Sequence, residues 1–162
     1  MATVNKNLSD QNFEGLDASK MRIAIVVSEW NASITSNLLK GAKNSLLKAN
    51  IKKENLIIKH VPGSFELPIA AQMILEADQT VDSVICLGCV IQGETKHFDF
   101  VCQGVSQGIK DVSLKYNKAV IFGVLTDNTL QQSMDRSGGK HGNKGDEAAV
   151  TAIKMVTFQK GL

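Results

Sequence analysis

One group of residues suited to chemistry lies between positions 95 and 99, where a loop leads into a segment with helical periodicity. Thr95 is a favoured type of helix N-cap, and His97 and Asp99 fall in the turn that follows it. Free backbone N–H groups at a helix N-terminus bind anions, and imidazole exchanges a proton near neutral pH. The pattern therefore predicts an anion site beside a proton-transfer group, although a lone histidine at a helix start is more often an ordinary surface residue.

Two further groups stand directly after apolar runs. Trp30, the only tryptophan, is followed by Asn31, and an indole at this point either stacks on a flat heterocycle or covers the core. After the next apolar run, Ser64, Phe65 and Glu66 open a predicted helix whose free N–H groups can receive polar ligand atoms. Glu66 also has a simpler interpretation, because a carboxylate in a first helical turn complements the helix dipole.

Basic side chains surround a glycine-rich segment at residues 137–145. They are Arg136, Lys140, His141 and Lys144. The composition suits a phosphate, but the segment is not a Walker A loop, because Lys144 follows Asn143 instead of glycine and a helix, not a strand, precedes it. The first strand is not followed by the glycine fingerprint of a dinucleotide site, and no cluster of Cys, His and carboxylates has metal-site spacing. The residues predict a small phosphorylated substrate, with no metal and no cofactor, but they do not name a reaction.

The three cysteines argue against redox or disulfide chemistry. Cys86 and Cys89 form a C-x-x-C pair inside an apolar run that predicts a strand, which places their Cα atoms about 10 Å apart on opposite faces. A disulfide needs a separation below about 7 Å. With Cys102 the count is odd, so no complete disulfide framework is expected, and the sequence predicts that Cys86 and Cys89 are small buried side chains.

The elements that position these residues alternate along the chain. Runs rich in apolar residues predict strands at residues 22–28, 55–61, 81–91 and 119–125, and the continuous run at residues 22–28 is typical of a strand buried on both faces. Helical spacing predicts helices at about 33–49, 66–77, 96–116, 129–136 and 146–158. The alternation predicts an α/β fold, a three-layer αβα sandwich with a four-stranded parallel sheet of the flavodoxin-like type. Ligands of such sheets bind beyond the carboxyl ends of the strands, where the groups described above lie.

Composition and charge argue against several classes of function. The chain has 162 residues, enough for one domain, which we predict at residues 21–162 after a polar arm at residues 1–20 that is flexible or ordered by a neighbouring subunit. A net charge of +2 with one tryptophan and one tyrosine argues against nucleic-acid binding. The apolar runs fall short of the roughly 20 residues of a membrane span, and the first residues lack a secretory pattern. We therefore expect a cytoplasmic protein without membrane association.

Five motifs, taken in order, resemble those of the lumazine synthases. They are Ser28–Asn31 (SEWN), Val61–Pro68 (VPGSFELP), Gly88–Phe100 (GCVIQGETKHFDF), Ile121–Thr126 (IFGVLT) and Asp135–Gly145 (DRSGGKHGNKG). Each motif alone is weak, but five in order over residues 21–160 are specific. The resemblance implies a transferase that condenses 5-amino-6-(D-ribitylamino)uracil with 3,4-dihydroxy-2-butanone 4-phosphate to 6,7-dimethyl-8-ribityllumazine. The reaction releases phosphate and water and is the penultimate step of riboflavin biosynthesis.

The resemblance also implies which residues act in catalysis and phosphate binding. His97 matches the histidine that transfers protons. Thr95 and Arg136 match the phosphate binders, and Arg136 would orient the phosphate and stabilise the leaving anion. Phe122 and Lys144 match residues that reach the site across a subunit boundary.

For the pyrimidine substrate, the resemblance implies a second set of residues. Trp30 matches the aromatic side chain that stacks on the pyrimidine. Asn31 and Glu66 match positions that meet the pyrimidine or its ribityl chain. The remaining expected substrate-binding residues are Ser64, Phe65, Val90, Ile91 and Glu94.

A homo-oligomer with active sites at subunit interfaces is a further implication of the resemblance. Members of the family form pentamers, and some close twelve pentamers into a hollow icosahedral shell. Members that stop at the pentamer often carry a longer loop where this chain has residues 137–145, so the short segment favours a shell. The two small-molecule substrates are the expected ligands, and riboflavin synthase is a candidate protein partner.

Two residues depart from the family pattern. Gln92 stands where some members carry a basic residue, and Glu94 puts a negative charge beside the expected phosphate site. Either the Glu94 side chain points away, or the phosphate depends more heavily on Arg136 and Thr95. Lys96 is close enough in sequence to offset the charge.

Other functions of the same fold stay open on the sequence alone. A non-catalytic flavin-binding, lumazine-binding or shell-forming protein would tolerate the loss of His97. A riboflavin synthase of the related archaeal type acts on a substrate without phosphate, so the pair of Arg136 and Thr95 favours the lumazine synthase. A flavodoxin-like electron carrier would bind FMN phosphate in a Ser/Thr-rich loop after the first strand, and residues 30–35 match that pattern only in part.

Overall fold

The structure, a computed structural model, describes residues 7, 9–10 and 12–162. Within these residues the main sheet contains β1 (Ile23–Ser28), β2 (Leu56–Val61), β3 (Ser83–Ile91) and β4 (Ala119–Asp127). The helices are α1 (Ala32–Lys48), α2 (Leu67–Ala77), α3 (His97–Tyr116), α4 (Leu130–Arg136) and α5 (Lys144–Lys160). Single 3-10 turns at Lys53–Asn55 and Ser64–Glu66 precede β2 and α2, and the short strands β5 (Ser137–Gly139) and β6 (Gly142–Asn143) form a hairpin before α5.

The main sheet is parallel throughout and has the strand order β2-β1-β3-β4. From β1 the chain passes to β2 on one side, and it then returns to place β3 on the other side of β1. This reversal opens a crevice at the carboxyl ends of β1 and β3, which is where open α/β sheets bind ligands. In the described chain β4 forms one edge of the sheet.

Helices cover both faces of the sheet. Ile23 and Ile25 of β1 pack in one apolar cluster with residues of α1 and α5, whereas Ala24 and Val26 pack in another with residues of α2 and α3. All six residues of β1 are buried. Burial on both faces explains why residues 23–27 form a continuous apolar run instead of an alternating one. The predicted three-layer αβα sandwich of the flavodoxin-like type, with its four-stranded parallel sheet, is confirmed.

The paired cysteines are packing residues. Cys86 belongs to the cluster on the face of α2 and α3, and Cys89 belongs to the cluster on the face of α1 and α5. Both side chains are buried and both thiols are free, as the sequence predicts. Burial raises the pKa of Cys86 to about 12, so its reactive thiolate form is negligible near neutral pH.

In the last third of the chain, β4 and α5 have boundaries that differ from the prediction by two residues, and α5 differs at both ends because it continues to Lys160. β4 continues two residues further, to Asp127, because that residue still pairs with Ile91 of β3. α5 begins at Lys144 and not at residue 146, because the Asn143 side chain accepts a hydrogen bond from the Gly145 N–H at 2.8 Å and caps the helix. The predicted glycine-rich loop therefore contains the hairpin of β5 and β6 and the first two residues of α5.

The N-terminal arm predicted at residues 1–20 lies partly outside the described residues, at positions 1–6, 8 and 11. In the described part, Leu16 packs on the core, and Ala18 is fully buried with its N–H donating to the Ala49 carbonyl at 2.7 Å. The domain boundary stays a prediction. None of the helices in the described residues is long and apolar enough to cross a membrane, and the cytoplasmic location stays a prediction.

Candidate active site

The loops after β1 and β2 are joined by backbone hydrogen bonds. Ser28 at the end of β1 pairs with Val61 at the end of β2, so both strands end at the same level. Beyond this point the Glu29 N–H donates to the Val61 carbonyl at 2.8 Å, and the Trp30 N–H donates to the Pro62 carbonyl at 3.1 Å. The two loops therefore form one wall of the crevice at the carboxyl ends of the strands.

A cavity of about 370 Å³, here called the first cavity, lies between these loops and the start of α3. Nine residues predicted from the sequence line it: Trp30, Asn31, Ser64, Phe65, Glu66, Val90, Ile91, Thr95 and His97. Further lining residues are Gly63, Cys89, Gly93, Phe98 and Val101, which the sequence-based prediction lacks. Val101 lies one helical turn after His97 in α3 and therefore on the same side of the helix. This spacing is the feature of the sequence from which its place in the cavity could have been predicted.

Trp30 and Asn31 have distinct positions at the mouth of the first cavity. Trp30 is 73% exposed, which excludes the interpretation of its indole as a cover for the core of this chain. Asn31 has a left-handed φ of 59°, a conformation that asparagine tolerates better than most residues. Its Nδ2 donates to the Cys89 carbonyl at 3.0 Å, and its side chain makes no capping bond to α1. The amide oxygen is therefore available to a ligand.

Two glycines, one in β3 and one in α3, allow the loop after β2 to pack closely against these elements. A Cβ on Gly88 would lie 2.5 Å from Ser64 Oγ, and a Cβ on Gly104 would lie 2.8 Å from the Phe65 ring. These two glycines allow Ser64 to enter beside β3 and Phe65 to lie on α3. Within the described chain, the buried Ser64 hydroxyl has no hydrogen-bond partner. A buried hydroxyl without a partner is unfavourable, which favours a polar ligand atom or a water molecule at this point.

Glu66 is the acidic residue in the lining of the first cavity. It occupies the N-cap position of α2 but makes no side-chain capping bond. The carboxylate folds back over Gly63, where a Cβ would lie 2.9 Å from Glu66 Oε2. Its place in the cavity lining allows it to accept hydrogen bonds from a ligand, in addition to complementing the dipole of α2.

His97 begins α3 at the mouth of the first cavity, and its side chain is exposed. The His97 N–H donates to Thr95 Oγ1 at 3.4 Å, while the N-cap position is Lys96, one residue later than the predicted Thr95. Thr95 lines the cavity, but Glu94 is exposed and does not line it. The negative charge of Glu94 therefore lies outside the cavity lining.

A second cavity, of about 640 Å³, lies along the edge strand β4. Three residues predicted from the sequence line it: Phe122 of β4, Arg136 of α4 and Lys144 of α5. Each basic group has an acidic neighbour, because Lys144 Nζ lies 2.8 Å from Glu147 Oε1 and Arg136 Nε lies 3.9 Å from Asp127 Oδ1. The sequence-based prediction contains neither acidic residue.

The predicted phosphate pair of Thr95 and Arg136 is divided between these two cavities, which share no lining residue. The first cavity has the aromatic, amide, hydroxyl and carboxylate groups that suit a flat polar heterocycle, with an imidazole at its mouth. The second has an aromatic ring and two cations, each paired with a carboxylate of the same lining, and the two cations suit an anion. One chain alone therefore presents two half-sites.

Over residues 7, 9–10 and 12–162, no three acidic, histidine or cysteine side chains are grouped so that they could hold a metal ion. The polar groups of the first cavity are those named above, and they are hydrogen-bonding groups suited to an organic ligand.

Known proteins similar to this chain share one description. The family model for 6,7-dimethyl-8-ribityllumazine synthase matches residues 20–160. The 6,7-dimethyl-8-ribityllumazine synthase of Parabacteroides distasonis is 57% identical over 159 residues, which cover 98% of this chain and 99% of that protein. Proteins of the same description from Cytophaga hutchinsonii and Porphyromonas gingivalis are 56% and 50% identical, over 96% and 99% of this chain and 98% and 99% of their own lengths. Because the matches cover nearly the whole chain, it belongs to the 6,7-dimethyl-8-ribityllumazine synthase family.

Proposed function

We propose that the chain condenses 5-amino-6-(D-ribitylamino)uracil with 3,4-dihydroxy-2-butanone 4-phosphate to 6,7-dimethyl-8-ribityllumazine, as a transferase in the penultimate step of riboflavin biosynthesis. Membership of the family supports this reaction. The observation in the structure that carries the proposal is the first cavity, which combines an exposed indole, several hydrogen-bonding groups and an imidazole in one crevice.

The first cavity is proposed to bind the pyrimidine. The exposed ring of Trp30 offers a surface on which the flat heterocycle stacks. The amide oxygen of Asn31 and the partnerless hydroxyl of Ser64 complement the polar edge of the ring. Glu66 accepts hydrogen bonds from ring N–H groups or from the hydroxyls of the ribityl chain.

The chemistry needs proton transfers and close approach of two substrates. The pyrimidine amine adds to the ketone and loses water to give an imine, phosphate leaves, and the resulting enol rearranges. The second amine then closes the ring with loss of another water. His97 is proposed to take a proton from the attacking amine and to return one to a departing hydroxyl, which typically contributes about 10²–10⁴-fold. No step transfers electrons to an external acceptor, so no cofactor is part of the proposal.

The second cavity is proposed to bind the phosphate of the ketose substrate. Arg136 and Lys144 supply positive charge, and an arginine fork matches two phosphate oxygens at once. Because this half-site does not share a cavity with His97, we infer that a neighbouring subunit supplies it and that the complete active site lies at a subunit interface. The short hairpin segment at residues 137–145 favours closure of pentamers into an icosahedral shell. Association with riboflavin synthase stays a prediction.

The alternative of a binding or shell-forming protein without turnover is not favoured. It would need neither an imidazole at the mouth of the first cavity nor two cations in the second. Family membership also points to the synthase.

The experiment that tests the proposal mixes the purified protein with both substrates and follows the fluorescent lumazine product against the spontaneous reaction. We expect clear acceleration, and we expect Arg136→Ala to raise the KM for the ketose phosphate. Lys140→Ala is the matched control, because Lys140 is a basic residue of the same segment that pairs with Asp135 and does not line the second cavity. A folded, assembled protein that gives no acceleration would contradict the proposal and favour the binding alternative.

A further inference from the structure

Asp127, the last residue of β4, is a buried carboxylate beside the second cavity. It is 9% exposed, and its Oδ2 accepts a hydrogen bond from the Ser133 hydroxyl at 2.9 Å. A carboxylate is unfavourable in a buried position unless partners satisfy its oxygens. Ser133, which is fully buried on α4, therefore holds one oxygen in place and leaves Oδ1 for a second partner.

The second partner is Arg136 at the end of α4. Its Nε lies 3.9 Å from Asp127 Oδ1, and its Nη1 donates to the Gln132 carbonyl at 3.1 Å. Two of the three guanidinium nitrogens thus face protein acceptors, and Nη2 has no acceptor within the described chain. A separation of 3.9 Å is an ion pair and not a hydrogen bond, so the guanidinium is held beside the cavity but can still turn towards an anion.

Ser133 is itself oriented by β3. The Cys89 thiol donates to Ser133 Oγ at 3.4 Å, and burial, with a smaller contribution from the charge of Asp127, raises the pKa of Cys89. The sulfur therefore keeps its proton near neutral pH. Because the thiol approaches the lone pairs of the Ser133 oxygen, the single O–H of that residue is free to point at Asp127. Ser133 and Arg136 are three residues apart and so share one side of α4.

We propose that Asp127, oriented by Ser133, is a positioning residue that holds Arg136 for the phosphate of the ketose substrate. This inference rests on the proposed function, in which Arg136 binds that phosphate. A free arginine side chain has many rotamers, and ordering it on binding weakens the affinity for a ligand. The negative charge of Asp127 repels a phosphate, so attraction does not account for its place in this half-site, whereas positioning does.

Three variants separate the positioning of Arg136 from the charge of Asp127 and from phosphate binding itself, and a fourth variant is the control. Ser133→Ala removes the anchor and keeps every charge, whereas Asp127→Asn removes the charge and keeps an acceptor for the hydroxyl. Arg136→Ala removes the proposed phosphate ligand. Ser83→Ala is the matched control, because Ser83 is also fully buried and its hydroxyl donates to the Ala119 carbonyl at the opposite end of β3 and β4. The measurements are kcat and the KM for each substrate, on assembled protein.

Loss of positioning should appear in one kinetic constant. We expect Ser133→Ala and Asp127→Asn to raise the KM for the ketose phosphate about 3- to 10-fold, with kcat and the KM for the pyrimidine within about twofold of the parent. Ser83→Ala should change none of these constants. Asp127→Asn combined with Arg136→Ala should raise the KM no further than Arg136→Ala alone, because the residue to be positioned is gone.

Two outcomes would overturn the inference and leave the phosphate site in place, provided that Arg136→Ala raises the KM for the ketose phosphate. One is an unchanged KM in both Asp127→Asn and Ser133→Ala. The other is a lower KM in Asp127→Asn with no change in Ser133→Ala, because Asp127 would then act only as a charge. An unchanged KM in Arg136→Ala would instead contradict the phosphate site of the proposed function, and the positioning role with it.

Discussion

The exposed aromatic rings and the imidazole of the first cavity contribute little to the core of the chain. Trp30 is 73% exposed, Phe65 is 60% exposed, and His97 is exposed as well. Large apolar side chains that gather at one surface of a chain mark a binding site. Substitutions at these positions should therefore change binding and turnover while the stability of the fold changes little.

Trp30 is the only tryptophan, so its fluorescence reports on the first cavity alone. If the pyrimidine stacks on the indole, titration with the ribitylaminopyrimidine should change the emission of Trp30 until the site is saturated. Trp30→Ala should raise the KM for the pyrimidine about 10-fold, because the stacking surface is lost, and Trp30→Phe should retain part of it. Unaltered emission at substrate concentrations that saturate turnover would place the pyrimidine elsewhere.

His97→Ala should slow turnover without abolishing it. The loss of one proton-transfer group typically lowers the rate by about 10²–10⁴-fold, while the two substrates are still held together by the remaining residues. The measurement is kcat for lumazine formation, corrected for the spontaneous reaction. His60→Ala is the control, since His60 is an exposed histidine of β2 that does not line the first cavity. Complete loss of activity in His97→Ala would show that the imidazole does more than transfer protons.

Among the elements, α5 and α1 approach closely because a glycine leaves room between them. A Cβ on Gly145 would lie 2.0 Å from the Leu38 carbonyl oxygen. Asn143 joins the two helices, because its Nδ2 donates to the Asn37 carbonyl at 2.8 Å and its Oδ1 accepts from the Gly145 N–H at 2.8 Å. These contacts determine where α5 begins and therefore where Lys144 enters the second cavity.

Gly145→Ala should lower the free energy of unfolding by about 1–3 kcal/mol, because a backbone oxygen cannot move aside without shifting α1. For a chain of this size, each kcal/mol corresponds to a fall in Tm of roughly 2–4 °C. The measurement is the thermal midpoint by circular dichroism. Gly161→Ala is the matched control, since it lies just after the same helix and its Cβ would meet only ordinary contacts at 3.5 Å. A midpoint for Gly145→Ala equal to that of the control would contradict this account of the packing.

The strands of the main sheet were the most predictable elements. A parallel strand covered by helices on both faces is a continuous apolar run, as at residues 23–27, and such runs are easy to recognise. The predicted helices begin and end within two residues of the observed ones. The hairpin of β5 and β6 was not predictable in the same way, because strands of three and two residues are too short to show a periodicity.

Two features could be recognised only in the structure. They are the pairing of Asp127 with β3 and the distribution of the site residues between two cavities. Asp127 lies beyond the predicted end of β4 because Thr126 and Asp127 are polar, and their pairing with β3 depends on register, which a single strand does not reveal. The strand-end motifs did predict nine of the residues that line the first cavity, since the carboxyl ends of parallel strands lie at one edge of a sheet.

In the whole molecule, the predicted site residues other than Glu94 fall into two half-sites. Thr95 and His97 line the first cavity, while Phe122, Arg136 and Lys144 line the second. The order of residues along one chain does not show which of them meet across a subunit boundary. For this reason the family resemblance grouped Thr95 with Arg136 as phosphate binders, although the two line separate cavities of the chain.

A site shared between subunits should be restored when two defective chains assemble together. One chain carries His97→Ala in the first half-site, and the other carries Arg136→Ala in the second. In a ring of identical interfaces formed at random from equal amounts, about one quarter of the interfaces combine two intact half-sites. The mixed assembly, made by coexpression with different tags, should therefore be more active than the mean of the two separate variants.

Coexpression of two variants of the same half-site provides the control for this experiment. His97→Ala and Trp30→Ala both alter the first cavity, so no interface of their mixture can obtain a fully intact first half-site from either chain. Their mixed assembly should show only the mean of the two separate activities. If the mixture of His97→Ala and Arg136→Ala also shows no more than the mean, both half-sites must act within one chain. The subunit-interface site would then be wrong, and a movement that brings α4 towards α3 would be required instead.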